Sequence, residues 1–264
     1  MGKALGLLLW IITIAAVAMF AVKKWWFPPS ITEHGSLVDD QFMRTLYVVA
    51  AAFVLAQVAL GFVVFQFGSG KRGAATYSHG SNTLEFTWTL ITAAVFVTLA
   101  ILGQQVWRSL HFHDAPPNAL TVEVTAQQFA WNFRYEGPDG VLGKTDPQQM
   151  SDSKGNPLGL DSNDPAGKDD IVTSTITVPA DRPVKLILKS KDVIHSFFVP
   201  NLRFKQDLVP GMAINVHFTP TVPGHYELAC AELCGAGHYK MKSYMDVLSE
   251  ADFQKWMKDK EAGK

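Results

Sequence analysis

The residues able to do chemistry are concentrated in one short run, His225 to Met241, HYELACAELCGAGHYKM. Both cysteines of the chain, Cys230 and Cys234, lie there, followed by His238 and Met241, all within twelve residues of a glycine-containing loop that follows a predicted strand. Thiolate, imidazole and thioether donors together suit copper rather than magnesium or calcium. Three simpler readings stand beside it. Two cysteines in an exported domain most often form a structural disulfide, a Cys-Cys-His-His set satisfies tetrahedral zinc, and the residues can be plain core filler. A disulfide leaves His238 and Met241 without a role, and zinc leaves Met241 without one. Filler requires coincidence at tight spacing.

A second histidine must come from elsewhere, and His195, His217 and His225 are the upstream candidates. Small copper-binding sandwiches take one histidine from a distant strand and the other ligands from one loop, which favours His195. His225 sits only five residues before Cys230 on the same run, and His217 lies in an alternating strand where a half-buried structural role is the default.

The elements that must carry this loop divide the chain in two. Residues 1 to 110 hold seven Lys/Arg and four Asp/Glu, net +3, and residues 111 to 264 hold sixteen and twenty, net −4, which together give the overall −1. A single uniform soluble domain is thereby excluded, and so small a net charge gives no support to a nucleic-acid partner. Two cysteines also exclude a disulfide-stapled miniprotein. Ala4 to Val22, Leu46 to Phe67 and Phe86 to Trp107 are uncharged runs of about 28–33 Å at 1.5 Å per helical residue, which match a hydrocarbon core of about 30 Å. They predict three transmembrane helices, 4–22, 46–67 and 86–107, in an anchor spanning 1–110.

Lys3, the apolar run and Ala16-Val17-Ala18 also suit a cleaved secretory signal. The length of the run, and Lys23-Lys24-Trp25-Trp26 placed after it like an interfacial anchor, favour a retained helix. Orientation stays open, because Lys23, Lys24 and Arg44 in the first loop nearly balance Lys71 and Arg72 in the second. From Leu120 to Tyr135 onward, short β-branched and aromatic runs recur at Ile171 to Val178, Val184 to Leu188, Val193 to Val199, Ala213 to Phe218 and His225 to Ala229. Pro and Gly punctuate them, which predicts a small all-β sandwich or barrel over 111–248. The stretch 137–170 carries seven aspartates against three lysines and reads as an inserted loop: either an acidic patch for a basic partner or a solvated flexible segment. Ser249, Glu250 and Asp252 before Phe253, Trp256 and Met257 predict a capped amphipathic helix over 249–264.

At this point DVIHSFFVPNLRFKQDLVPG, PGHYELACAELCGAGHYKM, SNTLEFTWTLI and QQFAWNFRY together resemble subunit II of haem-copper cytochrome c oxidase, over the chain from about the second helix to Val247. The resemblance implies a cupredoxin-like domain holding dinuclear copper A. Cys230 and Cys234 would bridge two coppers, His195 and His238 would each terminate one, and Met241 and the carbonyl of Glu232 would be weak ligands. The Glu232 carboxylate would contact a magnesium or manganese ion at the boundary with subunit I, and Glu85 would lie at the mouth of a proton channel. It further implies electron transfer from a c-type cytochrome to haem in subunit I, other oxidase subunits and membrane lipid as partners, and a multi-pass protein of the inner cell membrane with its copper domain on the outer side. Three departures stand out. The first helix is additional to the family's usual two. Phe129 replaces the tryptophan thought to admit the electron, with Trp131 two residues on. No Cys-x-x-Cys-His signals a fused haem domain, so the donor is a separate protein. A copper A module of a nitric oxide or nitrous oxide reductase, or a membrane-tethered copper carrier, is the alternative; the copper-free quinol-oxidising branch is disfavoured by the retained ligands.

Overall fold

A computed structural model describes residues 1–23, 26–68 and 77–263. Lys24, Trp25, Lys71 and Arg72, invoked above for anchoring and orientation, lie outside the described residues. Two compact units emerge, one of residues 1–27 and 37–109, the other of 28–36 and 110–264.

The first unit holds three helices, α1 (Gly2–Ala21), α2 (Gly35–Phe67) and α3 (Asn82–His111), each long and apolar enough to cross a membrane. The last two exceed the expected spans, because hydropathy finds the membrane-compatible stretch and not the helix. The polar turn around Asp39, Asp40, Gln41 and Arg44 is helical but too hydrophilic for hydrocarbon. α1 packs closely on α2. A Cβ on Gly6 would sit 2.8 Å from the Gly61 carbonyl oxygen, and Trp10 stacks on Phe65 with ring centroids 5.8 Å apart. Small residues permitting backbone approach are the usual means of helix association in lipid.

The second unit is a sandwich of two five-stranded sheets followed by a helix. Its strands are β1 (Leu120–Gln127), β2 (Ala130–Tyr135), β3 (Ile171–Thr173), β4 (Ile176–Pro179), β5 (Val184–Ser190), β6 (His195–Val199), β7 (Phe204–Leu208), β8 (Ile214–Phe218), β9 (Gly224–Cys230) and β10 (Lys242–Leu248). One sheet runs β3-β2-β1-β5-β8 and the other β4-β10-β9-β6-β7. The β1–β5 and β4–β10 pairs are parallel and the rest antiparallel. Alternating inward residues, such as Val184, Leu186 and Leu188 on β5 and Ser243, Met245 and Val247 on β10, are buried and build the layer between the sheets. The helix α4 (Glu250–Ala262), capped by Ser249, buries Phe253 and sets Trp256 edge-on to Tyr135 at 5.2 Å.

Residues 28–36, counted with the anchor above, group with the sandwich unit. Ile31 is buried there, its N–H donating to the Asn201 carbonyl at 3.0 Å and its carbonyl accepting from Thr221 N–H at 2.7 Å, while Thr32 Oγ1 donates to the Leu202 carbonyl at 3.1 Å. The 137–170 insertion is held by contacts of its own and to β1 and β2. β1 is buried on both faces: Val122 and Val124 point into the core, while Glu123 pairs across the strands with Arg134 at 3.0 Å beneath the insertion. The Arg134 guanidinium also binds Asp170 at 3.0 Å and the Gly143 carbonyl at 2.8 Å. Bridges between Thr145 and Leu160 and between Ser151 and Asn156, with Leu158 buried, complete a folded appendage.

Candidate metal centre

Strand register creates the site. β9 pairs with β6 so that Cys230 lies opposite Phe197, which places His195, the first residue of β6, beside the end of β9. β9 also pairs with β10, so the eleven residues from Ala231 to Met241 form the hairpin connection between them. Its neck is closed by Cys230 N–H donating to the Met241 carbonyl at 3.0 Å, and it is tied to β6 by Ala231 N–H donating to the Ser196 carbonyl at 3.1 Å.

The donor atoms converge inside this loop. Cys230 Sγ and Cys234 Sγ lie 3.9 Å apart, too far for a disulfide. His195 Nδ1 is 3.9 Å from Cys230 Sγ, His238 Nδ1 is 3.6 Å from Cys234 Sγ, Met241 Sδ is 3.7 Å from Cys234 Sγ, and the Glu232 carbonyl oxygen is 3.2 Å from Cys230 Sγ. Ligands about 2.0–2.3 Å from a shared ion at tetrahedral angles stand about 3.3–3.8 Å apart, so the spacing fits metal coordination. His195, Cys230 and Cys234 form the one buried His/Cys/Asp/Glu group of metal-binding geometry among the described residues. Exposure is 0% for His195, 8% for Cys230, 3% for Cys234 and 2% for Met241. Burial, reinforced by the neighbouring Cys230 thiol, pushes the Cys234 thiol up to about 11. Metal uptake therefore releases protons.

The other candidates fall elsewhere. His225 is exposed and pairs with Asp246 on β10. His217 is half-buried on β8, as its alternating strand suggested. The Glu232 side chain is exposed, so only its carbonyl reaches the donors. Glu85 occupies the first turn of α3 in the other unit. Trp131 is buried at 3%, its ring 6.5 Å from that of His195, whereas Phe129 is 40% exposed. Phe129 lies over the ligand loop, where a Cβ on Gly237 would come within 2.4 Å of its ring. Gly235 has φ +133°, a conformation open chiefly to glycine.

Sequence reasoning missed two residues. Asp192, in the β5–β6 turn, accepts from His195 Nε2–H at 2.8 Å, and from the backbone N–H groups of Val193 and Gln128 at 2.7 Å each. Burial alone would raise its carboxyl, but these donors outweigh it and hold the group below the usual range. Gln128 donates its side-chain amide to the Cys234 carbonyl. An aspartate three residues before a ligand histidine was the available signal.

The class these features define is a β-sandwich that gathers soft donors able to hold a metal, following three helices long and apolar enough to cross a membrane. The family model for "Cytochrome C oxidase subunit II, periplasmic domain" matches residues 120–250. The "Alternative cytochrome c oxidase subunit 2" of Bradyrhizobium diazoefficiens is 34% identical over 256 residues, covering 96% of this chain and 91% of its own. The cytochrome c oxidase subunit 2 of Synechocystis is 26% identical, covering 97% and 82%. The periplasmic domain of subunit II (CoxB) from Bradyrhizobium japonicum superposes with a TM-score of 0.41 at 24% identity, over 57% of this chain and 99% of that one. The chain belongs to the cytochrome c oxidase subunit II family.

Proposed function

We propose that this chain is the electron-accepting subunit of a haem-copper cytochrome c oxidase. It would take electrons from a c-type cytochrome at a dinuclear copper A centre and pass them to haem in subunit I for reduction of oxygen to water. The observation that carries the reading is the convergence of His195 from β6, Cys230 at the end of β9, and the Glu232 carbonyl, Cys234, His238 and Met241 from the loop that follows. Copper held by these residues would supply one-electron redox chemistry. The protein's part is to hold the ligands, exclude water and present a path to the surface. Exposure supports Phe129 over Trp131 as the point of electron admission, since the indole is sealed within the core. The Glu232 carboxylate remains available to a magnesium or manganese ion at the subunit I boundary, and Glu85 to a proton path.

Residues 28–36 and 110–264 group in one unit, which supports placing both on the same side of the membrane in this reading. With the copper domain on the outer face of the inner membrane, α1 starts inside with Lys3.

The test is copper quantification and electron paramagnetic resonance on the purified full chain loaded with copper. Two coppers per chain and a multiline mixed-valence spectrum, lost in Cys234→Ser, are expected. One copper, or zinc, in the wild-type chain would overturn the reading and move the weight to a carrier role.

A further inference from the structure

We propose that Asp192 is the positioning residue of this centre: a single carboxylate fixes which nitrogen of His195 faces the thiols and locks that ligand to the turn bearing Phe129. The inference rests on the copper reading above but makes a statement about the protein that needs no metal. His195 is fully buried, and its two ring nitrogens have different neighbours. Nδ1 faces Cys230 Sγ at 3.9 Å, and Nε2 faces Asp192 Oδ1 at 2.8 Å. A carboxylate only accepts, so Nε2 carries the proton and a neutral ring leaves the Nδ1 lone pair free for a metal.

The carboxylate is itself fixed from two directions. Val193 N–H donates to Oδ1 and Gln128 N–H to Oδ2, each at 2.7 Å. The Gln128 side chain then reaches the Cys234 carbonyl, and the next residue, Phe129, packs over Gly235 and Gly237. One turn thus holds two ligands that lie 39 positions apart in sequence, His195 through Asp192 and Cys234 through Gln128. Further along the same edge, Lys191 donates to Gln127 Oε1 at 2.9 Å and to Asp152 Oδ1 at 3.0 Å, which braces the turn against the folded insertion. Outer-shell partners of this kind typically change metal affinity about 10–100-fold when removed.

The test uses the full chain in detergent. In the metal-free protein labelled with ¹⁵N-histidine, and assigned by loss of one signal in His195→Gln, the Nε2 of His195 should be the nitrogen that carries a proton in its uncharged form. In Asp192→Asn the amide cannot accept from all three donors, so a mixed or inverted tautomer is expected. Copper affinity should fall about 10–100-fold, and the midpoint potential should rise as a negative charge beside the site is lost. Asp192→Glu, which keeps the acceptor, should restore the Nε2–H tautomer and most of the affinity, and it decides the matter if Asp192→Asn does not fold. An unchanged tautomer with copper affinity within twofold in Asp192→Asn would overturn the assignment. An Nδ1–H tautomer with wild-type copper affinity in Asp192→Glu would do the same. A wild-type chain that shows the Nε2–H tautomer but binds no copper would instead refute the copper reading and leave the positioning contact standing.

Discussion

Replacing Gly237 by alanine isolates the contact between the ligand loop and Phe129. The Gly237 backbone sits at φ −94° and ψ 4°, which alanine adopts, so any cost comes from the added carbon. That carbon would lie 2.4, 2.6 and 2.7 Å from three atoms of the Phe129 ring, where ordinary contact begins near 3.4 Å. The ring must therefore retreat by about 1 Å, and overpacking of this kind costs about 1–3 kcal/mol. Loss of unfolded-state freedom on replacing glycine returns about 0.4–1 kcal/mol. Gly237→Ala should thus lower stability by about 1–2 kcal/mol, or roughly 2–8 °C in melting temperature for a domain of this size. In a Phe129→Ala background the clash is gone, and the same change should be neutral or slightly stabilising. Thermal unfolding of the four chains in detergent, combined as a double-mutant cycle, should give a coupling of about 1–3 kcal/mol, the overpacking cost alone. Equal costs in both backgrounds would refute the packing argument. Electron uptake from a reduced c-type cytochrome should slow in Gly237→Ala while the copper spectrum is retained, because the ring moves and the ligands do not.

Arg134→Met should destabilise the sandwich by about 3–5 kcal/mol, since Asp170 stays buried without its cation and Glu123 keeps only Lys189; hydrogen exchange should rise first across 137–170. Burial, with His217 and His111 nearby, depresses His34 against the opposing pull of its Leu202 hydrogen bond and Glu33. Burial, with His113 nearby, depresses His217 against the pull of Asp114. Each ring is therefore more easily protonated in the unfolded chain, so their contribution is complete above about pH 6.5 and is lost as pH falls below it. Melting temperature should drop between pH 7.5 and 5.5, and less so in His34→Gln/His217→Gln. A soluble fragment of 111–264 should gain about 1.5–3 kcal/mol when 28–36 is linked to it, through burial of Ile31. Denaturant midpoints of the two fragments check this.

The ligand loop was legible because its chemistry is local: Cys230, Cys234, His238 and Met241 sit within one hairpin connection, and residue type alone announces soft donors. His195 required only the idea of a distant strand, which the β6–β9 pairing supplies. The same run concealed what surrounds the ligands. Gln128 meets Cys234 across 106 residues and Asp192 across 64, and no periodicity encodes such a meeting. Leu120 to Tyr135 read as one stretch because the β1–β2 turn at Gln128 and Phe129 contains neither glycine nor proline. β10 is not set off by its sequence, although Ser243, Met245 and Val247 alternate as an inward face should, because no Pro or Gly separates it from the metal motif. The insertion reads as loop from its Asp, Gly and Pro content. Its order comes from Arg134 on another strand and from short side-chain clips such as Asn156 on Leu160. Residues 28–36 are too short and too proline-bearing to signal that they belong to a domain made eighty residues later.

That early segment gives the protein an unusual order of completion. Ile31 meets Thr221 across 190 residues, and His34 meets the Leu202 carbonyl across 168. During synthesis the segment is made before two long apolar helices and most of the sandwich, and it must wait until Thr221 has been made. Closure of so long a loop is entropically expensive but grows only slowly with length, so the wait costs time more than stability. The sandwich unit is thus closed by joining residues 28–36 to residues 201–221, across two apolar helices and most of the strands. A chain stalled before Leu202 presents that junction open, with Ile31 exposed, to the proteases and chaperones that inspect unfinished membrane proteins.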